Sequence, residues 1–182
     1  MTPLFEAFQS RAQAVSAEVH RRSTRQEAVD FILTFLRAEN APAVWAHGSF
    51  LDGLDPASLT QAVPALTFQV TRETAEAARV GISQVEWAIA ATGTLVTDAA
   101  PVERRLASTL PVIHLAIAPT SAIQPDMASV FRRLSPAQSA YISMITGPSR
   151  TADIERVLTI GVHGPSRLVI LFVDDLAIAQ KG

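Results

Sequence analysis

The residues with the most chemical potential lie between Met144 and Pro165. Gly147-Pro148-Ser149 makes a tight turn after an apolar run. Thr151, Asp153 and Glu155 follow it, and Gly161-Val162-His163-Gly164-Pro165 closes the stretch. A Gly-Pro-Ser turn entering a helix offers free backbone N–H groups, a hydroxyl and the positive end of the helix dipole, which suits a phosphate or carboxylate. The same residues also read as an ordinary strand-to-helix turn, where Gly and Pro serve geometry and Ser or Thr only caps. Ser149, His163 and Asp153 have the residue types of a hydrolase triad, but Ser149 lacks the Gly-x-Ser-x-Gly elbow. His20, His47, His114 and His163 are scattered without metal-ligand spacing, so no metal site is expected.

These residues need elements to hold them. The spacing predicts a short helix after the turn, capped by Ser149 or Thr151, with Ile154, Val157 and Leu158 as its apolar stripe and Gly161 at its end. Residues 167–173 are too apolar for a half-exposed strand and suit a central parallel one. Together these make one strand–turn–helix–strand crossover.

Upstream, Leu4, Phe5, Phe8, Ala12, Val15 and Val19 predict an amphipathic helix over residues 3–21. Thr24 with Glu27 is a capping-box pattern for a second helix ending near Asn40. Helices are expected over 56–63, 71–80, 101–108 and 125–134. Strands are expected over 43–46, 66–70, 88–90, 95–97, 112–118 and 140–145. His47, beside Gly48 and Ser49, reads as a loop histidine without a partner at motif spacing. His114 lies inside an apolar strand, where a histidine is either a hydrogen-bonded core residue or a site residue.

Three blocks resemble a known family. They are Ile145-Thr146-Gly147-Pro148-Ser149 with Thr151-Ala152-Asp153-Ile154-Glu155 and Gly161 to Pro165; Gly81-Ile82-Ser83 with Ala88 to Val96; and Arg105-Leu106-Ala107-Ser108 with Leu110 to His114. Their order and content resemble the lactate utilization protein C family, the LUD domain. The resemblance implies an α/β three-layer sandwich with a mostly parallel or mixed central sheet, preceded by N-terminal helices. That fold is similar to the ribose-5-phosphate isomerase, coenzyme A transferase and methenyltetrahydrofolate synthetase group. Residues 1–40 would be an N-terminal helical segment packed on the domain or a partner, and 41–182 the LUD domain. Thr92-Gly93-Thr94, the Gly147-Pro148-Ser149 turn and His163-Gly164 would each stand at a strand end. Ligands of parallel sheets bind at carboxyl ends, so a shared pocket is expected there.

The resemblance also places an arginine at Arg105, where a guanidinium can clamp an anion or make a surface ion pair. Glu86 matches a position where the family prefers an acid. It is a site candidate or a helix-end surface acid. The family's usual carboxylate before Thr-Gly-Thr is replaced by Ala91.

Composition narrows the class. The chain has 182 residues, long enough for one well-buried core; 48% are hydrophobic and 18% charged, which excludes a disordered chain. A formal charge of −2 with no basic run argues against nucleic acid. No signal peptide is evident and no apolar run reaches the ~20 residues of a spanning helix, so a cytoplasmic protein is expected. With no cysteine, the chain can hold no thiolate-ligated iron–sulfur cluster, and no cofactor is expected on it.

Two functions stay open. The resemblance implies an accessory subunit in the oxidation of L-lactate to pyruvate, with clusters carried by iron–sulfur partners (LutA- and LutB-like). The alternative is a stand-alone enzyme or sensor for a phosphorylated or carboxylated metabolite such as a nucleotide, sugar phosphate, folate or acyl-CoA. A homo-oligomer is compatible with either.

Overall fold

The computed structural model describes residues 3–134, 141–152, 158–160 and 164–178. Its frame is a six-stranded sheet. In spatial order the strands are β1 (Glu18–Arg22), β12 (Arg167–Val173), β7 (Ile113–Pro119), β4 (Val80–Gln84), β2 (Ala43–Trp45) and β3 (Leu66–Thr67), and every neighbouring pair is parallel. Parallel strands are covered on both faces, which explains the near-continuous apolar run Leu168–Val173.

Alternate residues of that run serve two cores. Val169, Leu171 and Val173 pack with Ile113, Leu115 and Ile117 against α2 (Arg25–Glu39) through Ala28, Val29, Ile32 and Leu36. On the opposite face, Leu168, Ile170 and Phe172 meet Phe5, Phe8 and Ala12 of α1 (Pro3–Ala14). Phe172 sits edge-on to Phe5 and Phe8, with ring centroids 5.6 and 5.0 Å away, a favoured aromatic geometry.

Local chemistry sets the limits of α2. Thr24 Oγ1 accepts from Glu27 N–H at 3.2 Å, and Glu27 Oε2 accepts from Thr24 N–H at 3.4 Å, so the capping box forms. At the other end, left-handed Asn40 (φ 45°) returns its N–H to Leu36 O.

The remaining helices are α3 (Pro56–Ala62), α4 (Arg72–Ala77), α5 (Val102–Thr109) and α6 (Met127–Phe131). A second sheet covers part of the α1 face, in the order β8 (Ile123–Gln124), β5 (Trp87–Ile89), β6 (Thr94–Asp98) and β9 (Ile142–Ile145). Its inward Ala88 and Leu95 join the core of Ala116, Ala118 and Ile170. The α/β architecture with a parallel central sheet is therefore as the sequence predicts.

Three local expectations change. The helix over 3–21 stops at Ala14; Ser16 takes a positive φ of 68°, and residues 18–22 become β1, paired with β12. Val15 and Val19 fit a helical period, but burial of Val19 beside β12 decides the conformation. The described residues of the helix expected after Ser149 are strands instead. Residues 150–152 form β10 and 158–160 form β11, an antiparallel pair with Thr151 opposite Thr159. β-Branched Thr151, Thr159 and Ile160 favour strand. Ile154, Val157 and Gly161 lie outside the described residues.

Third, β9 belongs to the second sheet and runs antiparallel to β6, so the parallel crossover into β12 does not exist. The strand over 66–70 and the helices over 71–80 and 125–134 are present but shorter. Among the described residues no helix is long and apolar enough to cross a membrane.

Candidate functional site

A cavity of 260 Å³ lies on the α1 face of the main sheet. His114 and Leu168, paired neighbours on β7 and β12, line its base. Ser108 and Thr109 at the end of α5 form one wall, residues 144–149 another, and Gly164 with Pro165 a third. Each base residue is the second of its strand. The motif residues thus meet at the amino ends of the parallel strands, not the carboxyl ends the sequence suggested. The reason is topological: α5 leads into β7, and residues 164–166 lead into β12, so entering segments build the walls.

His114 is buried to 1% exposure, and its Nε2 lies 2.8 Å from Ser83 Oγ on β4. Burial pushes its imidazole down to about 4, so the ring is neutral at neutral pH. His114 is a hydrogen-bonded core residue, and it also lines the cavity.

The Gly147-Pro148-Ser149 turn is fixed from two sides. Gly147 has φ +73° and lies so close to Val15 that a Cβ would stand 2.5 Å from Val15 O. Ser149 N–H donates to Pro165 O at 2.8 Å, and a Cβ on Gly164 would come within 3.2 Å of Ser149 Oγ. A second block joins through hydroxyls. Thr92 Oγ1 lies 2.7 Å from Thr94 Oγ1, which lies 2.8 Å from Thr146 Oγ1 on the cavity wall. Gly93 (φ +67°) turns the chain between them.

Other candidates stand elsewhere. Arg105 Nη1 donates to Ala99 O and, at 3.0 Å, to Ala100 O, while its guanidinium sits 5.5 Å from the Tyr141 ring centroid. It is not among the cavity-lining residues. Glu86 accepts from Arg104 Nη1 through Oε1 and from Asp98 N–H at 2.7 Å through Oε2. It joins α5 to β6 away from the cavity. Thr151 contributes backbone to β10; its side chain, and Asp153, Glu155 and His163, lie outside the described residues. Ala91 is exposed beside Thr92.

His47 is on an exposed loop, 3.9 Å from Asp52. It borders a separate cavity of 340 Å³ with Trp45 and Phe68 at the carboxyl end of β2. Among the described residues no three His, Cys, Asp or Glu side chains could hold a metal ion together.

Three hydroxyl-bearing residues of the cavity wall, Ser108, Thr109 and Thr146, escaped the sequence reading as site candidates, and so did Ser83, which stands behind His114. Ser108 Oγ and Thr109 Oγ1 donate to Arg105 O at 3.1 and 2.6 Å, which leaves their lone pairs for the cavity. Ser83 stands in the Gly81-Ile82-Ser83 block, but the buried strand 80–84 that sets it beside His114 is not among the expected elements.

Comparison with known proteins agrees with this architecture. The LUD domain family model matches residues 5–173. Lactate utilization protein C of Halalkalibacterium halodurans is 38% identical over 109 residues, 57% of this chain and 47% of that protein. The Bacillus subtilis protein of the same name is 41% identical over 107 residues, 56% of this chain and 45% of its own length. YkgG of Escherichia coli, described as uncharacterized, is 36% identical over 107 residues, 56% and 46% of the two chains. The chain thus spans about half the length of these relatives. A crystal structure of a DUF162 family protein from Deinococcus radiodurans shares the fold, with a TM-score of 0.65, 21% identity and coverage of 93% and 96% of the two chains. The chain belongs to the LUD domain family.

Proposed function

We propose that this chain serves lactate utilization as a cluster-free component of the machinery that oxidises L-lactate to pyruvate. One observation carries the reading: the 37–41% identity to several proteins named lactate utilization protein C. Its composition is compatible with that role. Without cysteine it holds no thiolate-ligated cluster; the family resemblance supplies the rest of the reading, in which iron–sulfur partner proteins take the electrons from lactate. This chain contributes the cavity at His114, where Ser149 and Thr146 offer hydroxyl donors and Ser108 and Thr109 offer acceptors to a small oxygenated acid. The work takes place in the cytoplasm.

The reading is tested by complementation. The chain, expressed in a bacterium lacking its own lactate utilization protein C, restores growth on L-lactate, and iron–sulfur proteins copurify with it. Folded chain that neither restores growth nor retains such partners overturns the proposal. Turnover of a phosphorylated metabolite by the isolated chain would instead favour a stand-alone enzyme. That alternative has less support, because Arg105 is committed to the carbonyls of Ala99 and Ala100.

A further inference from the structure

The hydrogen bonding of His114 is incomplete in a way that points to the ligand. Ser83 and His114 are each 1% exposed. His114 pairs with Gly81 and Ser83 with Ala116 across the parallel strands, so both side chains leave the same face two positions apart. Ser83 Oγ and His114 Nε2 meet at 2.8 Å, and neither side chain has another hydrogen-bond partner among the described residues. Two proton arrangements fit this contact. With the proton on Nε2 and Ser83 accepting, both the Ser83 hydroxyl hydrogen and Nδ1 stay unpaired. With Ser83 donating to Nε2, only Nδ1–H does. Buried polar groups are paired in native proteins, so the second arrangement is favoured.

We propose that Ser83 fixes His114 in the Nδ1–H tautomer, and that this N–H donates to a carbonyl or carboxylate oxygen of a small 2-keto or 2-hydroxy acid in the cavity. The assignment rests on the reading of that cavity as the place where lactate or pyruvate is recognised. Burial keeps the ring neutral, so it donates without bringing charge into an apolar site. The lone pairs of Ser108 and Thr109, whose protons are engaged with Arg105 O, receive the hydroxyl of a 2-hydroxy acid. Ser83 touches no ligand and acts as a positioning residue.

Nitrogen-15 NMR of the histidine-labelled chain tests this, with His114→Gln assigning the signal and pyruvate and L-lactate as probes. Expected are a proton on Nδ1 of His114 in the free chain, a pyruvate-dependent shift of that nitrogen, and a mixture of tautomers in Ser83→Ala. Ser83→Ala should weaken pyruvate binding roughly fivefold, as loss of one neutral hydrogen bond does. Ser83→Thr, which keeps the hydroxyl, should restore both the tautomer and the affinity. A proton on Nε2, or a Ser83→Ala chain with unchanged tautomer, overturns the positioning pair. Calorimetric binding of pyruvate that leaves Nδ1 unmoved overturns the donor role while the lactate reading stands. No binding of either acid by wild-type chain with Nδ1 protonated overturns the ligand assignment and the cavity reading, and leaves the pair.

Discussion

Gly93 lies directly against the backbone of Ala12. A Cβ at Gly93 would stand 2.4 Å from Ala12 N and 2.7 Å from its Cα. The turn between β5 and β6 thereby docks α1, whose Phe5 and Phe8 cover Phe172. Gly93→Ala combines a backbone collision with a left-handed φ of 67°. Strain alone is on the order of 1–2 kcal/mol, and displacing α1 adds to it. The expected result is an unfolding free energy lowered by at least that much, read as a lower urea midpoint at unchanged m, with faster amide exchange over residues 5–12. An unchanged midpoint would show that α1 is not held by this contact.

Glu86 and Arg104 form an ion pair with side chains 14% and 16% exposed, and Glu86 also takes the Asp98 N–H. Truncating one member of such a pair strands the other, at a cost on the order of 3 kcal/mol. Glu86→Ala should therefore destabilise strongly. Removing Arg104 as well should recover part of that loss in a double-mutant cycle. Strict additivity of the two single effects would argue against the pair.

Arg105 and Ser149 should separate cleanly. Because the Arg105 guanidinium is spent on carbonyls and the Tyr141 ring, Arg105→Ala is expected to cost about 1–2 kcal/mol of stability and to leave pyruvate affinity within about twofold. Ser149→Ala removes a hydroxyl at the cavity. It should weaken pyruvate severalfold at nearly unchanged stability, as calorimetry and thermal melts would read. The reverse pattern would return Arg105 to the anion-clamp role.

His114 also makes stability depend on pH. Its folded value is pushed by burial from 6.5 to about 4, so between those values the unfolded chain binds more protons than the folded one. Stability is complete above pH 6.5 and falls as the pH drops towards 4, by on the order of 3 kcal/mol. His20, lowered mainly by burial and next by Arg22, adds in the same direction. Glu18 and Asp174, held below the usual carboxylate range by hydrogen bonds from Arg167 and Arg21, lose their contribution only at lower pH. His114→Gln should flatten the slope between pH 6.5 and 4. An undiminished slope would assign it to other groups.

Much of this was legible because local chemistry and tertiary context agree. The uninterrupted apolar run 168–173 could only be a strand covered on both faces, and Thr24 with Glu27 announced the start of α2. Gly147, Ser149, Gly164 and His114 were visible as unusual residue types and do meet at the cavity. Where contacts come from far along the chain, the sequence was silent or misleading. Val15 and Val19 keep a helical spacing, and only the register of Val19 with Ile170 makes residues 18–22 a strand. A guanidinium that clamps an anion reads the same in sequence as one that ties down carbonyls, as Arg105 does. Ser83 gains its meaning only from the strand register that sets it diagonally from His114.

The placement of β12 between β1 and β7 has a kinetic consequence. During synthesis β1 leaves the ribosome well before β12, its neighbour in the sheet. Until residues 167–173 emerge, β1 has no place in the sheet and β7 presents a bare edge, the kind of surface that recruits foreign strands. Closure therefore depends on contacts between residues such as Val19 and Ile170, distant in sequence, which slow folding. Nascent chains of this protein should accordingly lean on chaperones until β12 inserts, and shortened translation products lacking it should aggregate rather than accumulate as partial domains.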